Sequence, residues 1–190
     1  MSSGASLLVV AATARELAAP NGWRVLQCGV GPVEAAASTA AEITRERPVA
    51  ILHVGIAGAR RKAKIAPGTI VIGGASIYCD LATRNPFSPR LLPAVSALVA
   101  AMQRAVPDAI VKPIGTSAQV GGTKECDVEA MEGFAVLRAA AIADIPAIEV
   151  RAISNEIEEA DRGKWHFDTA FTAITSATPR LVEEFLRCVR

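Results

Sequence analysis

Several short apolar runs in this chain lack the in–out alternation of a strand with one wet face, and that restricts the sheet it can build. Val49–Val54 (VAILHV) is the clearest case. A strand apolar on both sides needs cover on both faces, which parallel sheets obtain from the helices that connect their strands. Ser6–Thr13 (SLLVVAAT) is a similar apolar run, and Arg24–Val30 (RVLQCGV), Thr69–Tyr78 (TIVIGGASIY, one strand or two), Ala109–Val120 and Ala147–Ile153 (AIEVRAI) also read as strands. Helical stretches separate them. Gly31-Pro32 opens a helix over Val33–Arg47, since proline suits a first turn whose N–H has no helical partner. Its expected inward stripe is Val33, Ala36, Ala37, Ala40 and Ile43. Further helices are expected over Pro93–Ala105, Gly133–Ala143 and Asp168–Cys188, and Asn85–Pro89 reads as a proline-broken loop. Strand and helix alternate without a repeat or linker. The expected fold is therefore α/β, a three-layer α/β/α arrangement around a mostly parallel mixed central sheet, with residues 1–190 as one domain.

Composition narrows the function. A formal net charge of +1 offers no basic face, so nucleic acid is not an expected partner. The longest uncharged runs, Met1–Ala14 and Ile65–Cys79, fall short of the ~20 residues that span a bilayer. Met1–Ala14 also lacks the basic start of a signal peptide, so no membrane association and a cytoplasmic location are expected. The cysteines (Cys28, Cys79, Cys126, Cys188) are scattered singly, and His53 and His166 are far apart, which gives no metal-ligand spacing and no disulfide framework. His53, inside VAILHVG, reads as a core or strand-end histidine.

Chemistry-bearing residues collect where strands should end, the edge at which open α/β sheets bind small molecules. Glu16 falls just past the first strand. Gly29-Val30-Gly31 has Glu34 where a dinucleotide fingerprint needs its third glycine, so those glycines read as a tight strand-to-helix turn. Gly55-Ile56-Ala57-Gly58 follows VAILHV and would let backbone amides approach a ligand. Arg60, Arg61 and Lys62 begin a basic loop that reads first as solvated, with the holding of an anionic substrate group as the second reading. Glu129, Met131 and Glu132 precede the helix from Gly133, and the strand from Ala147 ends in Ser154-Asn155.

Together, Ala12-Thr13, Glu16-Leu17, Gly29–Gly31, Gly55–Gly58, Asp80-Leu81, Val128–Gly133 (VEAMEG) and Val150–Asn155 (VRAISN) stand in the order of the purine nucleoside phosphorylase and nucleosidase superfamily, which the chain resembles over nearly its whole length. VEAMEG and VRAISN are the most specific pieces. Within that superfamily it looks most like the futalosine hydrolases. Asn155 stands where adenine-specific nucleosidases carry aspartate, Tyr78-Cys79-Asp80-Leu81 is present, and Trp165 follows the VRAISN strand.

The resemblance implies a nucleoside phosphorylase-like fold and hydrolysis of an N-ribosidic bond of a 6-oxopurine nucleoside, through a sugar with oxocarbenium character. Two catalytic residues are implied. Glu16 would position and deprotonate the attacking water, and Asn155 would offer an amide donor and acceptor to the base. Gly55, Ala57, Gly58, Glu129, Met131, Glu132 and Ser154 are implied substrate contacts, Glu132 accepting from ribose hydroxyls and Met131 packing on the ribose. The phosphate-holding arginine pattern of phosphorolytic relatives is missing near the amino terminus, which favours water over phosphate. Gly115–Thr123 carries no aromatic to stack on the base, so stacking is expected from elsewhere. The implied partner is a small-molecule purine nucleoside, with no metal or organic cofactor, and a homodimer is expected. Two other readings stay open: a phosphorylase or methylthioadenosine/adenosylhomocysteine-type nucleosidase, and a non-catalytic nucleoside-binding protein on the same fold.

Overall fold

The structure is a computed structural model that describes residues 6–81 and 89–189; most of the expected loop at 85–89 lies outside them. The strands are β1 (Leu8–Ala11), β2 (Arg24–Gln27), β3 (Ile51–Ala59), β4 (Ile70–Tyr78), β5 (Leu91–Pro93), β6 (Ile110–Thr116), β7 (Val128–Ala130) and β8 (Ala147–Glu156). The helices are α1 (Pro32–Arg45), α2 (Ser96–Ala105), α3 (Gly133–Ile142) and α4 (Phe167–Val189). All strands join one mixed sheet. Parallel pairs link β1 to β2 and β3, β3 to β8, β4 to β6 and β6 to β7. Antiparallel pairs link β3 to β7, β4 to β5 and β4 to β8. The strands β3, β8, β4, β6 and β7 thereby close into a ring.

The unbroken apolar runs have the expected cause. Along β1, Leu7, Val9 and Ala11 pack toward α2 and α4, while Leu8 and Val10 pack toward α1 and α3, so both faces of the strand are buried. On α4, Ala170, Ile174, Ala177, Leu181, Val182 and Phe185 form the buried stripe at helical spacing. Among the described residues no helix is long and apolar enough to cross a membrane.

Three expectations need correction. The fully buried residues of α1 are Ala35 and Thr39; of the expected stripe Ala36 and Ile43 pack against the core in part, while Val33 is 78% exposed and Ala37 and Ala40 also face out. Alanine fits either side of a helix, so an alanine-rich pattern has too little contrast to set its rotation. Gly55–Gly58 does not follow the strand but forms the second half of β3. Opposite it, the register shifts between Ala57 and Gly58, whose partners are Ile153 and Asn155, so Ser154 is the extra residue of a β-bulge. Finally, β6 stops at Thr116 rather than running to Val120, and the unforeseen three-residue β7 fills the place between β6 and β3.

Candidate active site

The carboxyl ends of β1, β3, β7 and β8 surround a cavity of about 360 Å³. Glu16, Ala57, Gly58, Glu129, Met131, Glu132, Ser154 and Asn155 all line it; of the expected site residues only Gly55 does not. Glu16 ends a single 3-10 turn after β1 and is 4% exposed. Thr13 donates to its Oε2 from both backbone N and Oγ1 (each 2.8 Å), and the Ile56 amide of β3 donates to Oε1 at 3.1 Å. Three donors from two elements therefore fix a carboxylate on the cavity wall.

Glu132 caps the amino terminus of α3. Its Oε1 accepts from the Gly31 amide at 3.0 Å, an amide presented by a glycine with φ of +93°, where a side chain would be strained. Burial pushes the Glu132 carboxyl above its ordinary value; Arg151 and the Gly31 amide pull it down, and Glu16 and Glu149 push it up further. Asn155 accepts from Ser154 Oγ at 2.7 Å and donates to the Glu156 carbonyl at 2.9 Å, which leaves its amide one hydrogen and one lone pair for a ligand. Glu129 lines the cavity but directs its oxygens at the loop before β7. It accepts from the Gly121 amide (2.5 Å), the Thr123 amide (2.8 Å) and Thr123 Oγ1 (2.7 Å).

A cluster that sequence reasoning missed lies directly behind this wall. Arg151 is fully buried. Its Nε donates to Glu149 Oε1 at 2.8 Å, and its Nη2 lies 2.5 Å from His53 Nε2 and 3.5 Å from Glu132 Oε2. His53 Nδ1 sits 3.0 Å from the Val10 carbonyl, which only accepts, so Nδ1 carries the proton and Nε2 receives Arg151. Burial, followed by Arg151, holds His53 well below 6.5. Arg151 Nη1 is buried without a partner among the described residues. A Cβ on Gly55 would collide with that nitrogen and stand 2.8 Å from Glu16 Oε1. Gly55 therefore makes room for the arginine behind the wall, which corrects the expectation that it meets the ligand. The readable signal was in AIEVRAI: Glu149 and Arg151 are two apart on a buried strand and so share one face.

Trp165, Phe167, Phe171 and Arg162 complete the cavity. They supply the aromatic wall that Gly115–Thr123 lacks, with the Trp165 and Phe167 rings 5.4 Å apart. The basic loop does not reach the site: Arg60 pairs with Glu158, Arg61 with Glu156, and Lys62 lies 3.9 Å from Asp127. Arg162 is the cation on the cavity lining. A larger groove of about 690 Å³, between Leu98, Leu137, Ile145 and Val189, has Asp144 as its only carboxylate and no acid pair to do this chemistry.

No protein-family model matches the chain. A futalosine hydrolase of Streptomyces coelicolor is 34% identical, over 85% of this chain and 79% of that protein. Among solved structures, the native futalosine hydrolase of Helicobacter pylori has a TM-score of 0.83 at 14% identity, covering 95% of this chain and 98% of that one. A 5′-methylthioadenosine/S-adenosylhomocysteine nucleosidase of Colwellia psychrerythraea, in complex with adenine, has a TM-score of 0.83 at 18% identity, covering 95% and 96%. At such identities the structural likenesses speak for the fold.

Proposed function

The chain belongs to the futalosine hydrolase family, and from that premise we propose that it hydrolyses the N-ribosidic bond of futalosine, releasing hypoxanthine and leaving dehypoxanthine futalosine, a step toward menaquinone. The observation that carries the reading is the meeting of Glu16 and Glu132, far apart in sequence, on one nucleoside-sized cavity. In this reading the C1′–N9 bond breaks with its electron pair leaving on the purine. Water bonds to C1′, its proton passes to the Glu16 carboxylate, and the purine takes a proton from solvent. Glu132 accepts from ribose hydroxyls and faces the developing positive charge of the sugar. Met131 packs on the ribose, Ala57, Gly58 and Glu129 shape the walls, and Trp165, Phe167 and Phe171 supply flat apolar surface. Asn155, steadied by Ser154, uses its remaining donor and acceptor on the 6-oxopurine.

Phosphorolysis is the competing reaction, and local charge argues against it. Arg151 is surrounded by Glu16, Glu132 and Glu149, so a phosphate dianion would meet more negative than positive charge. Incubation with futalosine, inosine and methylthioadenosine, with and without phosphate, tests the proposal. Hypoxanthine should appear from futalosine at a rate independent of phosphate. Phosphate-dependent release of ribose 1-phosphate, or cleavage of methylthioadenosine alone, would overturn it; a nucleoside that binds and stays intact would make the protein a binder.

The protein works in the cytoplasm as a homodimer on this reading. The face best suited to pairing is the outward side of α1 and α3, where Val33 is 78% and Ile142 72% exposed beside Phe134 and Tyr78.

A further inference from the structure

We infer that Cys79 and Cys126 form a reversible redox pair beside a loop of the active-site wall: a hydroperoxide oxidises Cys79, and Cys126 closes a disulfide onto it. The inference goes beyond the hydrolytic reading and gives a use to the Tyr78-Cys79-Asp80 segment, which that reading leaves idle.

The fold brings the two cysteines together. Cys79 follows the last residue of β4, and its amide donates to the Thr116 carbonyl at the end of β6 at 2.9 Å. Cys126 lies two residues before β7, on the stretch that returns from β6. A Cβ on Gly115 of β6 would stand 3.0 Å from Cys79 Sγ and 3.1 Å from Cys126 Cβ, so both cysteines meet over the face this glycine leaves bare. A disulfide needs its Cβ atoms about 3.5–4.5 Å apart, and rotation of Cys79 with a small shift of the loop closes the pair. Asp80 already clasps that loop, accepting from Ser117 Oγ at 2.8 Å and the Ala118 amide at 2.7 Å.

The two thiols are unequal. Cys79 is half-buried and within reach of a small solute, whereas Cys126 is 4% exposed. A hydrogen bond with Cys126 draws the Cys79 thiol below its ordinary value; Arg90 adds to this, while burial, Glu125 and Asp80 oppose it. The Tyr78 amide donates to the Arg90 carbonyl at 2.8 Å, which keeps that arginine beside the cysteine. Arg90 Nε is itself buried without a partner among the described residues. The same hydrogen bond, then burial, pushes the Cys126 thiol up. A thiolate to attack and a thiol in reserve are the parts a disulfide-forming pair requires. Cys79 sulfur bonds to one peroxide oxygen as the O–O bond breaks, and the other oxygen leaves as hydroxide. The sulfenic acid is neutral, so the charge that held the Cys126 proton is gone. Cys126 sulfur then bonds to Cys79 sulfur, the S–O bond breaks, and its proton leaves with that oxygen as water. Two electrons pass from the thiols to the peroxide.

The other cysteines lack these features. Cys28 is buried and pushed up to about 12 by burial first and by Glu132. Cys188 turns its thiol to the Ala97 carbonyl on the far end of the chain. Closing the Cys79–Cys126 bond bears on the cavity, because Val120 lines it and the Gly121 and Thr123 amides hold Glu129.

The test reads covalent state. The unaltered protein is treated with an equimolar amount of hydrogen peroxide, alkylated in denaturant and digested with trypsin. Peptides 65–84 and 125–138, which carry Cys79 and Cys126, should appear joined and lighter by the two thiol hydrogens, and dithiothreitol should part them. Cys28 and Cys188 should remain alkylated. In Cys126→Ser, dimedone should trap Cys79 as the sulfenic acid; in Cys79→Ser, Cys126 should remain a thiol. Hydrogen exchange at the Gly121 and Thr123 amides should slow in the oxidised protein. Alkylation of both thiols after peroxide, a bond to another cysteine or another chain, or a trapped Cys126 instead of Cys79 would each overturn the proposal. Should a variant fail to fold, the peptide map of the unaltered protein decides. None of these readouts needs futalosine to be cleaved, so the hydrolytic reading is judged separately.

Discussion

At the scale of single residues, Glu16 is the strictest test of the chemistry. Glu16→Gln keeps the shape and loses the base, so kcat should fall 10²–10⁴-fold, measured by release of hypoxanthine. Asn155→Asp exchanges an amide for a group that donates only when protonated, and preference should move toward an adenine-bearing nucleoside; competition between the two substrates reads it directly. Gly133→Ala sets two effects against each other. Alanine favours a helix over glycine by roughly 0.5–1 kcal/mol, but here its methyl strikes the Glu149 carboxylate, an overpacking that costs about 1–3 kcal/mol. The clash should win, with a lower melting temperature and weakened turnover together. His53 predicts a pH dependence. The folded protein refuses a proton that the unfolded chain takes up near 6.5, so below that value the unfolded state binds more protons and acid favours it. Unfolding free energy from urea titration should therefore drop between pH 7.5 and pH 5, and His53→Gln should flatten that drop.

At the scale of elements, legibility followed contrast. The run VAILHV announced a buried strand because its apolar character has no alternation, and AIEVRAI through its β-branched residues ahead of a polar end, and both are strands. Helix α3 and the acids before it were readable because Glu129, Met131 and Glu132 interrupt an otherwise apolar context, and all three line the cavity. The rotation of α1 was not legible, since alanine recurs on several of its faces and gives little contrast between them, and Gly31 before it is tied to Glu132, a residue 101 positions away. The Glu149–Arg151–His53 cluster escaped for a similar reason: each charge has its partner on a different strand or at a spacing that only the sheet explains. The loop from Ser117 to Asp127 was equally opaque. It is tied down by Asp80, which accepts from Ser117 Oγ and the Ala118 amide, and by Glu129. Glu129→Gln should loosen it, and hydrogen exchange should quicken at the Gly121 and Thr123 amides that Glu129 now holds.

At the scale of the whole molecule, the layered α/β architecture was evident from the alternation of runs, while the ring of β3, β8, β4, β6 and β7 was not, because long-range pairing leaves no local mark. The outward apolar band of α1 and α3 gives the prediction that belongs here. A charge at its centre, Val33→Asp with Ile142→Asp, should shift a dimer toward monomer in sedimentation velocity while leaving the far-ultraviolet circular dichroism intact. Wild-type protein that sediments as a monomer would dispose of the pairing face altogether.

The ring also bears on any attempt to re-engineer the protein. Two strands, β7 and β8, stitch the β1–β2–β3 half of the sheet to the β4–β5–β6 half. One leads straight into Met131 and Glu132, and the other carries Glu149, Arg151, Ser154 and Asn155. Segment grafting, which suits enzymes whose specificity sits on dispensable surface excursions, would here cut a seam of the scaffold wherever it replaced β7 or β8. New substrate preferences should be sought one side chain at a time.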